Sequence, residues 1–429
     1  MLLYSSFFCA DCQCYAKKRG RERDKMSLTS KIDKDKAFKE ILLSVEPNKD
    51  DYYTLSKNEP FSEQYNLYAP NNLSNPQSDS KLVGTAFDYL ARLRIGQFIK
   101  SKDMKMIEVS KMGFYKLMKR PEYKKRNLEP SQSYRSWMDQ MGAYLDDSSI
   151  PISNLYEIAV HLAKLEHIKR RTVKKEEILD VDYLLFEPSS KEIIDDLDNL
   201  MIVFEEKFMI PKIIKKKSEV VFNPDFGIGS LLVDGADGDL FIDGTLYDFK
   251  TTKESIFGKK DNLQLIGYFL LNELAIETMS DELLGYRHID INRIAFYKAR
   301  YGEIEYYDVR EYLPYRDVRQ KIKEIAIHFK DKKISPQSLL NLDGVKKVLV
   351  EIRNGEKMDN EKQESKLKDK QLIYVVNNYI IPQKKFDFNE IKTKEELKDV
   401  TEGFEKFNQL SEEEIDELFD LIQNGNLGL

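Results

Sequence analysis

Apolar residues recur at three- and four-residue spacing through the first half of the chain and give way to alternation in the second. Four segments between Leu82 and Lys207 carry the helical period: VGTAFDYLARLRIGQFI, SYRSWMDQMGAYL, NLYEIAVHLAKLEHIKRR and KEIIDDLDNLMIVFEE. After Pro211 the texture changes. SEVVFNP reads as a short strand and DGDLFIDGTLYDFK as a hairpin. KDNLQLIGYFLLNELAIET follows as a long helix with Asp261 as its N-cap, then two strands around Tyr301-Gly302, then the closing helix DVRQKIKEIAIHF. These elements predict an α/β fold, a mixed β-sheet core flanked by helices with a large helical region before it. The expected organisation is a flexible polar segment over 1–80 with a Pro/Asn/Ser-rich loop from Tyr68 to Ser80, a helical region over 81–210, a core over 211–332, and a charged region over 333–429. Within the last of these, residues 355–372 are almost wholly polar, and LSEEEIDELFDLIQ reads as an acidic amphipathic helix opened by Ser411 and Glu414. That helix is a candidate docking element for a protein partner.

At 429 residues the chain is long enough for a substantial core, and its formal charge of −6 argues against a uniformly basic nucleic-acid coat. Charge is segregated, however. Ten Lys/Arg stand against three acids from Lys100 to Arg126, with Phe114, Tyr115 and Tyr123 interleaved, and a second basic run spans Lys164 to Lys175. Both are candidate phosphate contacts, although basic helix faces are often simply solvated. Trp137 reads as core, and His161 and His167 as ordinary residues. No apolar run reaches the roughly 18–20 residues that cross a bilayer. Cys9, Cys12 and Cys14 lie together in the opening segment, one ligand short of a closed zinc or iron–sulfur site. The cysteine-free remainder fits a reducing cytoplasm.

The hairpin carries the candidate chemistry. Asp243-Gly244 between two alternating runs is a two-residue turn signal. Counting outward pairs Ile242 with Thr245, Phe241 with Leu246 and Leu240 with Tyr247, then Asp239 with Asp248 and Asp237 with Lys250. Two carboxylates then oppose each other about 4.5–5.5 Å apart at Cβ, with Lys250 on the same face. Opposed acids conflict in a plain sheet, and a hard divalent cation such as magnesium or manganese removes the conflict. A solubilising edge hairpin is the competing reading. Gln264 and Tyr268, an i, i+4 pair on an otherwise apolar helix, need polar partners, which either an active site or nearby backbone supplies.

Together, Gly235/Asp239, Asp248-Phe249-Lys250 and Gln264-Leu265-Ile266-Gly267-Tyr268 resemble the RecB-like branch of the PD-(D/E)xK nucleases. Gly84-Thr85-Ala86-Phe87-Asp88 resembles that branch's G-T-x-x-H motif, with Asp88 where the family has His. The resemblance implies a restriction-endonuclease-like core and metal-dependent hydrolysis of phosphodiester bonds, in DNA before RNA, in repair or phage defence. It implies catalytic roles for Asp239, Asp248, Lys250, Gln264 and Tyr268. Magnesium or manganese would be held by Asp239, Asp248 and the Phe249 carbonyl, with Asp88 and Asp237 as further candidate ligands. Thr251, Thr252 and Lys253 are the expected phosphate contacts. Pro224-Asp225 lies outside the hairpin register, before an expected Gly227–Gly229 turn. No phosphate-binding loop of a helicase motor is present. With Asp88 departing from the pattern, a catalytically weak nuclease fold serving as a DNA-binding or scaffolding module is the alternative.

Overall fold

The computed structural model describes residues 27–119, 129–170, 187–280, 286–332 and 342–354, with isolated positions beyond. Cys9, Cys12 and Cys14, the polar stretch 355–372, the end of the first basic run at 120–126 and that of the second at 171–175 lie outside the described residues. The acidic C-terminal stretch does too, apart from Asp416 and Phe419.

Six strands form one sheet: β1 (Tyr53–Thr54), β2 (Val220–Phe222), β3 (Leu240–Ile242), β4 (Thr245–Lys250), β5 (Arg293–Lys298) and β6 (Glu303–Tyr307), in the spatial order β1-β6-β5-β4-β3-β2. Every neighbouring pair is antiparallel except β4–β5, which runs parallel from Thr245↔Arg293 to Lys250↔Lys298. The helices, in chain order, are α1 (Leu28–Lys34), α2 (Lys36–Leu43), α3 (Pro76–Ile99), α4 (Glu108–Met118), α5 (Glu129–Asp146), α6 (Tyr156–Arg170), α7 (Lys191–Lys207), α8 (Gly227–Leu232), α9 (Lys259–Glu277), α10 (Val309–Tyr312), α11 (Tyr315–His328) and α12 (Leu342–Asn354).

Helices cover both faces of the sheet, so its central strands are buried on both sides instead of alternating with water. On one face Tyr247, Phe249, Ala295 and Tyr297 pack with Phe87 of α3 and Phe204 of α7. On the other, Leu246, Ile294 and Phe296 meet α8, α9, α11, α1 and α2. Residues 81–210 thus share with the sheet the hydrophobic core on its first face. Helix α9 is the parallel crossover between β4 and β5, and Leu263, Leu265, Ile266, Phe269, Leu270 and Leu271, spread all round it, are buried, as the sequence predicts.

Four expectations need correction. The segment 27–80 is not a flexible leader: α1 and α2 bury Leu28, Ile32, Phe38 and Leu42 against α9 and α11, and β1 pairs with β6. Its two helices are only 7 and 8 residues long, and side chains of Ser27 and Asp35 cap them. The loop from Tyr68 stops at Asn75, where Pro76 opens α3 with its fixed φ at the first helical position. Gly227–Gly229 begins helix α8, and Gly229 lets it lie close against α9: a Cβ there would stand 2.6 Å from the Leu271 carbonyl. Finally, α9 starts at Lys259 with Gly258 as N-cap, leaving Asp261 in the first turn with its carboxylate free to face elsewhere. Among the described residues no helix is long and apolar enough to cross a membrane.

Candidate active site

The hairpin forms in the expected register. Asp243 and Gly244 both adopt positive φ, 43° and 85°, the left-handed pair that matches a tight turn to strand twist. The ladder pairs Ile242–Thr245, Phe241–Leu246 and Leu240–Tyr247 and ends there. Beyond it Asp239 turns its side chain across, and Oδ2 accepts the Phe249 backbone N–H at 2.8 Å. Asp248 and Lys250 share the α9 face of β4, and Lys250 Nζ stands 2.7 Å from Asp248 Oδ2 and 2.8 Å from Asp261 Oδ1. Asp261, expected only as a cap, is therefore a partner of the candidate catalytic lysine.

Helix α3 brings a third carboxylate. Gly84 faces Thr251, just past the end of β4, and a Cβ there would lie 2.8 Å from Thr251 Oγ1. The missing side chain lets α3 approach the strand end, and one turn later Asp88 stands in the field of Asp239 and Asp248. Arg92, the next turn on, is buried and donates to Asn223 Oδ1 at 2.8 Å and the Met106 carbonyl at 3.2 Å. Its charge acts on both Asp88 and Asp239. On α9, Gln264 Nε2 donates to Tyr268 Oη at 2.6 Å, and the tyrosine lies near Asp237, Asp239 and Asp248. The two thus satisfy each other beside the acids.

The electrostatics are those of crowded acids. Burial, then Asp248, raises the Asp239 carboxyl to about 7, against the pull of the Phe249 N–H, Arg92 and Lys250. Burial and Asp239 push Asp88 well above the carboxylate range. Asp248 is raised by burial and pulled back by Lys250. Burial opposes the charge on Lys250, yet Asp248 and Asp261 lift its pKa above the ordinary lysine value, so it is a fixed cation. Burial raises the Tyr268 hydroxyl strongly, with Asp237 next.

Other expected residues lie at the edge of the cluster or outside it. Asp237 does not face Lys250: it forms a bridge with Asp225, and its carboxylate pairs with Arg170 of α6 at 3.0 Å. The correction is to its register, and the same arginine also holds Glu166 at 2.7 Å. Thr251 borders the site, and its carbonyl accepts from Arg300 Nε at 2.5 Å. Thr252 and Lys253 are exposed on the loop after β4. Trp137 is buried and stacks on His161, with ring centroids 4.7 Å apart. Reading the sequence missed Arg92, whose i, i+4 spacing from Asp88 was the available signal, and Lys298. Lys298 is buried, occupies the position across from Lys250 in the parallel ladder, and acts on Asp248.

Among the described residues, no three His, Cys, Asp or Glu side chains are drawn tightly enough around one point to hold a metal. The donor chemistry nonetheless suits a hard cation. Asp88, Asp239 and Asp248 are oxygen donors whose mutual repulsion a divalent ion would relieve, and the Lys250 ammonium now stands between Asp248 and Asp261. No family model, curated protein or solved structure matches the chain.

Proposed function

We propose that the chain is a metal-dependent nuclease acting on phosphodiester bonds, DNA before RNA, at the cluster of Asp88, Asp239, Asp248 and Lys250. The feature that supports the reading is that carboxylates from α3, from the residue before β3 and from β4 lie within one another's electrostatic reach, with Lys250 paired to the last of them, Asp248. Asp239 and Asp248 would hold magnesium or manganese with the Phe249 backbone carbonyl, and Asp88 would supply a further oxygen. When bound, such an ion supplies a Lewis acid and a water of lowered pKa. The Phe249 N–H orients Asp239. Lys250, always charged here, offsets the negative charge that develops on the phosphate and orients the attacking water; with its pKa raised it is not the base. Tyr268, held by Gln264, would donate to a phosphate oxygen or to a carboxylate. The test is cleavage of end-labelled single- and double-stranded DNA and RNA with magnesium, manganese or EDTA. Metal-dependent products are expected, and their ladder separates endo- from exonuclease action. Binding without cutting would replace this reading by that of a nucleic-acid-binding module.

A pH dependence follows from the same cluster. Asp239 keeps its proton in the folded state up to about pH 7, whereas in the unfolded chain it releases it near the ordinary 3.8. The folded state binds more protons across that window, so its stability falls as pH rises from about 4 to 7. In EDTA the Tm is expected to drop by about 2–5 °C between pH 5 and pH 8 through this group, and Asp239→Asn to flatten the drop. Magnesium should raise the Tm of the parent chain more at pH 8 than at pH 5, since protons compete for the same oxygens. Equal metal stabilisation at both pH values would remove Asp239 from the ligand set.

A further inference from the structure

The second feature of the sheet lies at its far end and on its other face. Asp248 and Lys250 end β4 on the α9 side, whereas Thr245 and Tyr247 face α7, and Arg293 opens β5 beside Thr245. Five residues of strand put the two ends roughly 16 Å apart. There an open cavity of about 210 Å³ is lined by Tyr247, Tyr306, Ile213, Ile304, Arg293 and the two lysines Lys212 and Lys215, among others.

Its chemistry is that of an amphipathic anion site. The loop from Lys212 to Lys217 carries four lysines and no acid. Lys212 and Lys215 reach the cavity and are exposed at its mouth. Ile213 and Ile214 between them are buried and anchor the loop, and the Lys215 N–H donates to Ser218 Oγ at 2.8 Å. The third cation is fixed from behind: Arg293 gives Nε to Asp308 Oδ1 at 2.6 Å and lies over the Tyr306 ring, 4.0 Å from its centroid. Asp243 is the acid of the lining, and its carboxylate already accepts the Glu219 N–H at 2.8 Å. The Tyr306 ring and the isoleucines give the cavity one apolar wall, and the whole space is larger than an inorganic phosphate would fill.

We infer that this cavity binds a planar aromatic ligand bearing a phosphate, the chemical class of a nucleoside monophosphate. The ring would lie among Tyr247, Tyr306 and the isoleucines, and the phosphate would meet Lys212, Lys215 and Arg293. The site is separate from the acidic cluster and does not depend on the nuclease reading.

Calorimetric titration of the full chain in EDTA with AMP, adenosine and inorganic phosphate tests it. AMP is expected to bind more tightly than adenosine or phosphate alone, each by about tenfold, because each lacks one half of the recognition. Lys212→Glu with Lys215→Glu, both exposed and with no bearing on the core, should weaken AMP by at least about tenfold at unchanged Tm. Asp248→Asn, in the acidic cluster, should leave AMP binding as it was. Absence of AMP binding at millimolar concentration, or binding that the lysine reversals do not weaken, overturns the proposal. Phosphate binding as tightly as AMP removes the ring from it, and loss of AMP binding in Asp248→Asn moves the ligand to the acidic cluster.

Discussion

Replacing Lys250 by methionine is expected to lower metal-dependent cleavage by about 10²–10³-fold, the loss seen when a preorganised charge-stabilising group is removed from a reacting centre. Methionine keeps most of the buried stem and removes only the ammonium, which stands 2.7 Å from Asp248 and 2.8 Å from Asp261. Binding of uncleaved DNA in EDTA should change by no more than about threefold, since one buried cation contributes little to a surface contact. Asp248→Asn should be as severe in cleavage, for the different reason that it removes a ligand, and higher manganese should recover part of its loss. The split separates the roles: metal concentration rescues a lost ligand and does not rescue a lost charge-stabilising group. A Lys250→Met protein that cuts at the parent rate would detach the lysine from catalysis and with it the main support for the nuclease reading.

The second large effect concerns stability. Arg300, in the β5–β6 turn, is fully buried and meets Asp196 of α7 through two bonds, of 2.7 and 2.8 Å. It also donates to the Ala69 and Thr251 carbonyls. Asp196→Ala strands a buried guanidinium and is expected to cost about 3–5 kcal/mol, a fall in Tm on the order of 4–8 °C. Asp196→Leu with Arg300→Leu removes both charges and should recover a good part of that loss, because a hydrophobic pair of similar volume often equals a buried ion pair. Thermal unfolding of Asp196→Leu, Arg300→Leu and the double variant measures the coupling. A single variant with the parent Tm would mean that water reaches the guanidinium. Since Arg300 holds the residue directly after Lys250, the Asp196 variant should also cut more slowly at temperatures where it is still folded.

What could be read from the sequence was what is local. The Asp243-Gly244 turn and the period of two set the hairpin register down to Leu240–Tyr247, because both depend on adjacent residues. The four long helices and the buried crossover helix carry enough turns for their period to be counted. Helices α1 and α2 do not: with two turns each, their apolar residues make no visible stripe, and what orders them is the distant α9. The expected facing of Asp237 and Lys250 fails because the ladder with β4 ends at Leu240, and Asp237 bridges to Asp225 instead. Arg92 lies one helical turn from Asp88, a local signal, whereas Asp261 and Lys298 join the site through packing between separate elements, which no local pattern marks.

The docking of α1 and α2 has a consequence for the order in which the chain is made. Leu28, Ile32, Phe38 and Leu42 leave the ribosome among the first residues described, yet the surfaces that bury them, on α9 and α11, are synthesised only after residue 259 and residue 315. At ordinary translation rates those apolar side chains wait for tens of seconds without their partners. Strand β1 waits for β6 in the same way. The nascent chain thus presents a client for holding chaperones early, and an expression fragment that stops before α11 leaves the α11 side of that surface uncovered for good. Soluble yield should therefore rise sharply once α11 is included, a step that fragment design can use directly.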